Sequence, residues 1–189
     1  MDEKEESMWV NRLQHGDADA QNQLYHRYAG RLAAVCLRYV ADREDVKDVL
    51  QDSFLKIFTS VSSFQNRGKG ALEAWMTRIV VNESLKCLRE KGKLNAVIVF
   101  QEEIKDMEND DEAFAELEEV PQTELLRMVA RLPDGYRTVL NLYVFEQKSH
   151  KEIAKLLNIA EKTSSSQLSK AKHLLGKWIV EYKKQHAYE

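Results

Sequence analysis

The stretch SHKEIAKLLNIAEKTSSSQLSKAK, residues 149–172, constrains the fold of this chain more than any other. Its first half carries an apolar stripe of Ile153, Leu156 and Leu157, with the small Ala154 beside it. Ser149 and Glu152 have the S-x-x-E spacing of a capping box, which satisfies orphan amides at a helix start. Asn158 then predicts a helix end, because Asn tolerates a left-handed backbone better than other residues with side chains. Ile159 fills the turn, and Thr163 or one of the following serines is placed to cap a second helix. That helix turns only Leu168, Ala171 and Leu174–Leu175 inward, leaving Ser165, Ser166, Gln167, Ser169, Lys170 and Lys172 outward. Two short helices around a tight turn, the second of them polar, are a helix-turn-helix pattern.

The rest of the chain reads as helical too. Gly and Pro are scarce, at 7 and 2 of 189 residues, and alternating strand patterns are few, so an all-α protein is expected. No apolar run approaches the roughly 20 residues that span a bilayer, so no membrane span is expected. The opening MDEKEES is acidic and polar, unlike a signal or transit peptide. Cys36 and Cys87 have neither zinc-ligand nor redox spacing and read as small buried hydrophobes of a reducing cytoplasm. His15, His26, His150, His173 and His186 form no metal-ligand pattern. With no nucleophile motif and no phosphate-binding glycine loop, neither catalysis nor a metal or cofactor is indicated.

Helical periodicity organises the first half. Residues 9–40 are expected to contain a long helix with Leu24, Tyr28, Leu32, Val35, Cys36 and Tyr39 on one face. A second begins at Asp42, a plausible N-cap, and carries Val46, Val49, Leu50, Phe54, Ile57 and Phe58 as one stripe. SSFQNRGKG reads as a loop, and a third helix covers about 71–91, with Leu72, Trp75, Met76, Ile79 and Leu88 inward. These elements suit one domain over residues 8–92. Residues 93–120 turn acidic and irregular around one apolar patch, AVIVF, and read as a linker. A second domain, 121–184, then holds an amphipathic PQTELLRMVARL, a turn at LPDGY, a buried helix YRTVLNLYVF and the helix-turn-helix.

Charge is distributed unevenly. The net charge is only −3, whereas a freestanding DNA binder usually carries a basic excess to neutralise phosphates. Between Glu102 and Glu119 stand ten acids against Lys105; between Lys162 and Lys184 stand six lysines against Glu181. A basic end and an acidic middle are therefore averaged away.

Three constellations carry chemistry. In a helix-turn-helix the second helix enters the major groove, and its first residues meet base edges. Ser165, Ser166 and Gln167 can donate and accept there, Gln pairing with adenine, while Lys162, Lys170, Lys172 and Lys177 suit phosphates. A plain helical hairpin with a solvated face is the alternative. On the helix from Asp42, the face opposite the apolar stripe shows Asp45, Asp48 and Asp52 with Gln51. Acids on successive turns of one helix do not enclose an ion, so a solvated face or a docking face for a partner's arginines remains. The third constellation is the loop with Phe64, Arg67 and Lys69, followed by Trp75 and the stripe Arg78, Asn82, Lys86 and Arg89. Aromatic and basic groups beside a flexible loop suit single-stranded DNA, although core packing also explains Trp75.

In order along the chain, LQHGDADAQNQLYHRY, DVKDVLQDSFLKIF, ALEAWMTRIVVNESLKCLRE and LPDGYRTVLNLYVFEQKSHKEIAKLLNIAEKTSSSQLSKAKHLL resemble the sigma-70 family of bacterial transcription initiation factors. The resemblance is to its short, extracytoplasmic-function group. It implies two helical domains and a chain that binds core RNA polymerase, recognises −35 and −10 promoter elements and nucleates DNA melting. Polymerase docking then falls to Asp48, Val49, Leu50, Gln51 and Asp52, with Asp45 adjoining. Capture of the single-stranded −10 element falls to Phe64 through Gly70, with Trp75, Arg78, Asn82 and Lys86. Reading of the duplex −35 element falls to Thr163 through Lys172, with Lys162 adjoining. The family often has an anti-sigma factor that masks both domains, so such a partner is implied. Three features depart from the family pattern: Lys86 where an acid is frequent, Asn158 where Gly is frequent, and serines where a recognition helix often carries a basic residue.

Elementary physics is compatible with this resemblance. Fully extended, the 28 residues of 93–120 reach roughly 90 Å, more than two DNA turns of about 34 Å each. An acidic linker avoids DNA phosphates and would favour a basic channel. The competing readings are a freestanding helix-turn-helix regulator whose N-terminal helices dimerise or sense a signal, a pure adaptor, and an enzyme using the carboxylates of the second helix or the scattered histidines. The acidic linker and split charge oppose the first, the recognition helix is unexplained by the second, and the third lacks a catalytic motif.

Overall fold

The computed structural model describes residues 3–92 and 120–186. The chain divides into two compact units, Met1–Glu90 and Lys91–Glu189. The expected linker and its AVIVF patch lie outside the described residues, apart from Val120.

A glycine and an aspartate set the start of the N-terminal unit. Helix α1 (Glu3–Gln14) ends just before Gly16, whose φ of +74° is strained for residues with a Cβ. Helix α2 (Ala18–Leu37) starts at once, because the Asp17 carboxylate accepts from the Asp19 and Ala20 amides at 3.0 and 3.1 Å. The Arg12 guanidinium donates to that carboxylate at 2.7 Å and holds its pKa below the ordinary range. The long helix expected within 9–40 is α2; the start of that span belongs to α1, a separate helix that the acidic opening concealed. Asp42 caps α3 (Arg43–Ser60) in the same way, as its sequence position predicts.

The core of this unit is a three-helix packing of α2, α3 and α4 (Ala71–Glu90). Leu24, Leu32 and Cys36 meet Val49, Phe54 and Ile57 and the inner face of α4 with Leu72, Met76, Val80, Leu85 and Leu88, all buried. Each large apolar side chain withdrawn from water contributes about 1.5–3 kcal/mol, which is what makes periodicity decisive for these helices. Ser84 at the centre bonds its own helix, donating to the Val80 carbonyl at 2.8 Å, and approaches the Cys36 sulfur at 3.5 Å. Burial pushes the Cys36 thiol up, so it acts as an inert small hydrophobe. Helix α1 lies across α2 and the 3-10 turn Val61–Ser63, anchored by buried Val10 and Leu13.

The C-terminal unit comprises α5 (Gln122–Arg131), α6 (Asp134–Val144), α7 (His150–Leu157) and α8 (Glu161–His186). The turn expected at LPDGY is shorter than its five residues, since Pro133 already occupies the N-cap and Asp134 begins α6. Arg137 organises this corner from a site only 3% exposed. Its guanidinium donates to the Ala130 and Leu132 carbonyls at 3.0 and 2.9 Å, closing the end of α5, and also pairs with Asp134. Helix α8 then packs against α5, α6 and α7, and Arg131 lies 4.8 Å over the Trp178 ring.

Arg137→Ala leaves two inward carbonyls and Asp134 without their partner, a loss of about 3 kcal/mol. Hydrogen exchange on the whole chain should show α6 amides exchanging roughly a hundredfold faster, with amides of α2 and α4 unchanged.

Candidate nucleic-acid interface

The helix-turn-helix is built as its residues dictate. Ser149 and Glu152 form the capping box, with the Ser149 hydroxyl accepting from the Glu152 amide at 3.3 Å and the Ser149 amide donating to the Glu152 carboxylate at 2.9 Å. Asn158 ends α7 at φ +55°, in the left-handed region. Helix α8 starts two residues before Thr163, so neither Thr163 nor the serines cap it. Ser164 instead points inward, fully buried, with its hydroxyl 3.0 Å from His150 Nδ1, and Tyr143 stacks on that imidazole at 4.9 Å. Over the first turns of α8 the inward face is thus Ser164, Gln167, Leu168 and Ala171, half of it polar, and it continues through Leu175, Gly176 and Ile179.

This register corrects one expected reader. Gln167 is 5% exposed and does not present its amide to a groove. Lys162, Ser165 and Ser166 are exposed, while Thr163, Lys170 and Lys172 are half-buried along the flanks. The outer start of α8 therefore offers two hydroxyls beside a cation, in the position where a docked recognition helix meets bases.

In the other unit the loop between the 3-10 turn and α4 folds on its own backbone. The Asn66 side chain accepts from the Gly68 amide at 3.1 Å, and Gly68 and Gly70 take φ of +109° and +82°. Lys69 stands exposed between these glycines. Where the loop meets α4, a cleft of about 380 Å³ opens, lined by Phe64, Gln65, Arg67, Ala74, Trp75 and Arg78 among others. Phe64, expected as an aromatic platform, is only 9% exposed, its ring packed on Trp75 at 5.0 Å and 42°. Trp75 is half-buried and forms the aromatic wall, with the exposed guanidinium groups of Arg67 and Arg78 at the rim. Asn82 and Lys86 continue the exposed face of α4. Lys86 is flanked by acids, its Nζ 3.9 Å from Glu83 and 4.0 Å from Glu90, which offsets part of its charge.

On α3, Asp48, Gln51 and Asp52 are exposed and Asp45 is half-buried. The same face includes Leu55, which is 64% exposed and which sequence reading passed over. Its signal was available: an apolar residue out of register with the inward stripe. A carboxylate row ending in an exposed leucine is suited to a partner with both basic and apolar groups. Among the described residues no group of His, Cys, Asp and Glu side chains is placed to hold a metal ion. Nor is any described helix long and apolar enough to cross a membrane.

Two helical units, one ending in a helix-turn-helix and one with a cation-rimmed aromatic cleft, form the candidate nucleic-acid interface. Comparison with known proteins gives the family. Residues 24–94 match Sigma-70 region 2, and residues 122–175 match Sigma-70, region 4. The chain is 32% identical to the ECF RNA polymerase sigma-E factor of Haemophilus influenzae, over 88% of this chain and 90% of that protein. It is 26% identical to the RNA polymerase sigma-H factor of Pseudomonas aeruginosa, over 93% and 94%. Among solved structures it is similar to the sigma factor RpoE in complex with the anti-sigma factor NepR from Bartonella quintana, with 20% identity, 85% and 96% coverage and a TM-score of 0.48. The chain belongs to the sigma-70 family, in its extracytoplasmic-function group, and is a factor for transcription initiation.

The capping box makes the helix-turn-helix sensitive to acid. Bonds from the Ser149 hydroxyl and amide hold the Glu152 carboxyl below its ordinary pKa. A lowered folded-state pKa gives stability that is complete above the ordinary carboxylate range and lost as pH falls through the lowered value. Ser149→Ala should therefore destabilise the C-terminal unit at neutral pH, and its difference from wild type should narrow toward acid. Thermal melts from about pH 7 down to about pH 3 check this.

Proposed function

We propose that this sigma factor docks on core RNA polymerase through Asp48, Gln51, Asp52 and Leu55, holds the −10 strand at the cleft between the loop and α4, and reads the −35 element with the start of α8. The observation that carries the reading is the cleft. Its volume, about 380 Å³, lies in the range of small-ligand sites and accommodates a nucleobase with part of its sugar. Trp75 supplies a stacking wall, and Arg67 and Arg78 supply charge for the adjoining phosphates. A duplex base cannot reach such a site, so occupancy favours the unpaired strand and offsets the few kcal/mol that unstacking costs. Opening then needs differential binding and no bond-breaking chemistry by this chain.

The serines of α8 support base reading by hydroxyls, with Lys162, Lys170 and Lys172 placing the helix on phosphates. Gln167 stays out of the contact set because of its burial, and Asp45 adjoins the docking face. The modest net charge of −3 fits a factor whose polymerase supplies much of the phosphate contact. An anti-sigma partner that covers both units belongs to the same reading and rests on the family alone.

The test uses holoenzyme assembled from this chain and bacterial core polymerase, on promoters it selects from a random DNA pool. Trp75→Ala and Arg78→Ala should each weaken binding of the single-stranded −10 oligonucleotide about tenfold, while binding of −35 duplex stays unchanged. Equal affinity in the variants and wild type would remove the cleft from promoter recognition. Separately, Asp48→Arg with Asp52→Arg should abolish co-purification with core polymerase; retention would move the docking face elsewhere.

A further inference from the structure

Glu6 lies in the opening segment that looks like a polar tail, yet it is 1% exposed. A carboxylate that leaves water completely is costly unless its oxygens are matched by donors. Here both are. One oxygen accepts from the Gly70 amide and the other from the Leu72 amide, each at 2.7 Å. These amides stand at the start of α4, where the helix has orphan N–H groups and its dipole favours a negative charge. At its other end, α1 reaches the loop again. The Gln14 carboxamide donates to the Val61 and Phe64 carbonyls at 3.1 and 3.0 Å. Between the two, Asn66 donates to the Ser7 hydroxyl at 3.1 Å.

Helix α1 thus spans the loop and grips both of its ends. One grip fixes the backbone at Phe64, the other fixes the backbone just before Trp75, and these two aromatic residues line the cleft. Val10 and Leu13 bury α1 on the unit, so the grip is held by packing as well as by hydrogen bonds. We propose that Glu6 is a positioning residue for promoter opening, setting the cleft in its strand-accepting shape before DNA arrives. This rests on the reading of the cleft as the −10 strand site. Preorganisation of this kind lowers the ordering cost at the moment of capture. Glu6 touches no DNA; it acts through Gly70 and Leu72.

Glu6→Gln is the informative change, because the carboxamide keeps one acceptor but turns its NH₂ toward the other amide. In the whole protein, Gly70 and Leu72 amides should exchange at least about tenfold faster, with Met76 and Leu85 in the core of α4 still protected. In holoenzyme, open-complex formation should slow about tenfold, with polymerase affinity and duplex affinity unchanged. Gln14→Ala, at an exposed side chain, should slow opening in the same direction by a smaller factor. Opening at the wild-type rate by Glu6→Gln despite faster exchange at Gly70 and Leu72 would overturn the proposal. So would a loss of polymerase binding in proportion to opening. If Glu6→Gln does not fold, Gln14→Ala decides: wild-type opening overturns the proposal and slowed opening supports it. Trp75→Ala separates the two levels. Normal opening by that variant removes the cleft reading itself, whereas impaired opening by Trp75→Ala beside normal opening by Glu6→Gln removes only the role of Glu6.

Discussion

Every helix leaves four amide hydrogens at its start and four carbonyls at its end without partners inside the helix. Because most of the described residues lie in helices, the closing of those ends decides where the described chain turns and which surfaces are rigid. Asp17 and Asp42 close the starts of α2 and α3, and Ser149 with Glu152 closes α7. Arg137 closes the end of α5 from within the core, and Glu6 closes the start of α4 from another helix. The last two closures are made by charged side chains almost withdrawn from water, so they bind the tertiary structure as well as the helix. Two of the three candidate functional surfaces lie beside such a closed end: the cleft at the start of α4 and the acidic face rising from the start of α3.

Of the closures made within four residues of the helix they serve, three were legible in the sequence, and the Asp17 cap of α2 was not. Asp42, the S-x-x-E box and Asn158 declare themselves because donor and acceptor share one local segment. Long-range closures did not. Glu6 and Leu72 are 66 residues apart, and nothing in MDEKEES distinguishes the buried glutamate from the acids beside it. The interior stripes of α2, α3 and α4 were plain because their members are apolar. The inward face of α8 was not, because Ser164 and Gln167 lie on it beside Leu168 and Ala171. An apolar-only pattern placed Gln167 outside, and the packing of Ser164 on His150 shows why the register places it inside. Leu55 is the converse case, an apolar residue facing out where only polar ones were expected.

Function follows from the separation of roles. The N-terminal unit offers an acidic face with an exposed leucine and an aromatic, cation-rimmed cleft on different helices, so the proposed partners can engage both at once. The C-terminal unit offers hydroxyls and lysines on one helix. None of these surfaces demands a strong overall charge, and the net of −3 hides the basic end at 162–184. In the proposed function, specificity arises from occupying several modest contacts together, with polymerase as the scaffold that makes them simultaneous.

The most direct measurement is permanganate footprinting of promoter DNA with this chain and bacterial core polymerase, added singly and together. Unpaired thymines should appear around the −10 element only when both are present, at sites that also carry a −35 element one recognition helix can read. Tight binding by the chain alone to a two-fold symmetric site, with no thymine reactivity in the presence of polymerase, would contradict the assignment of strand opening to this protein.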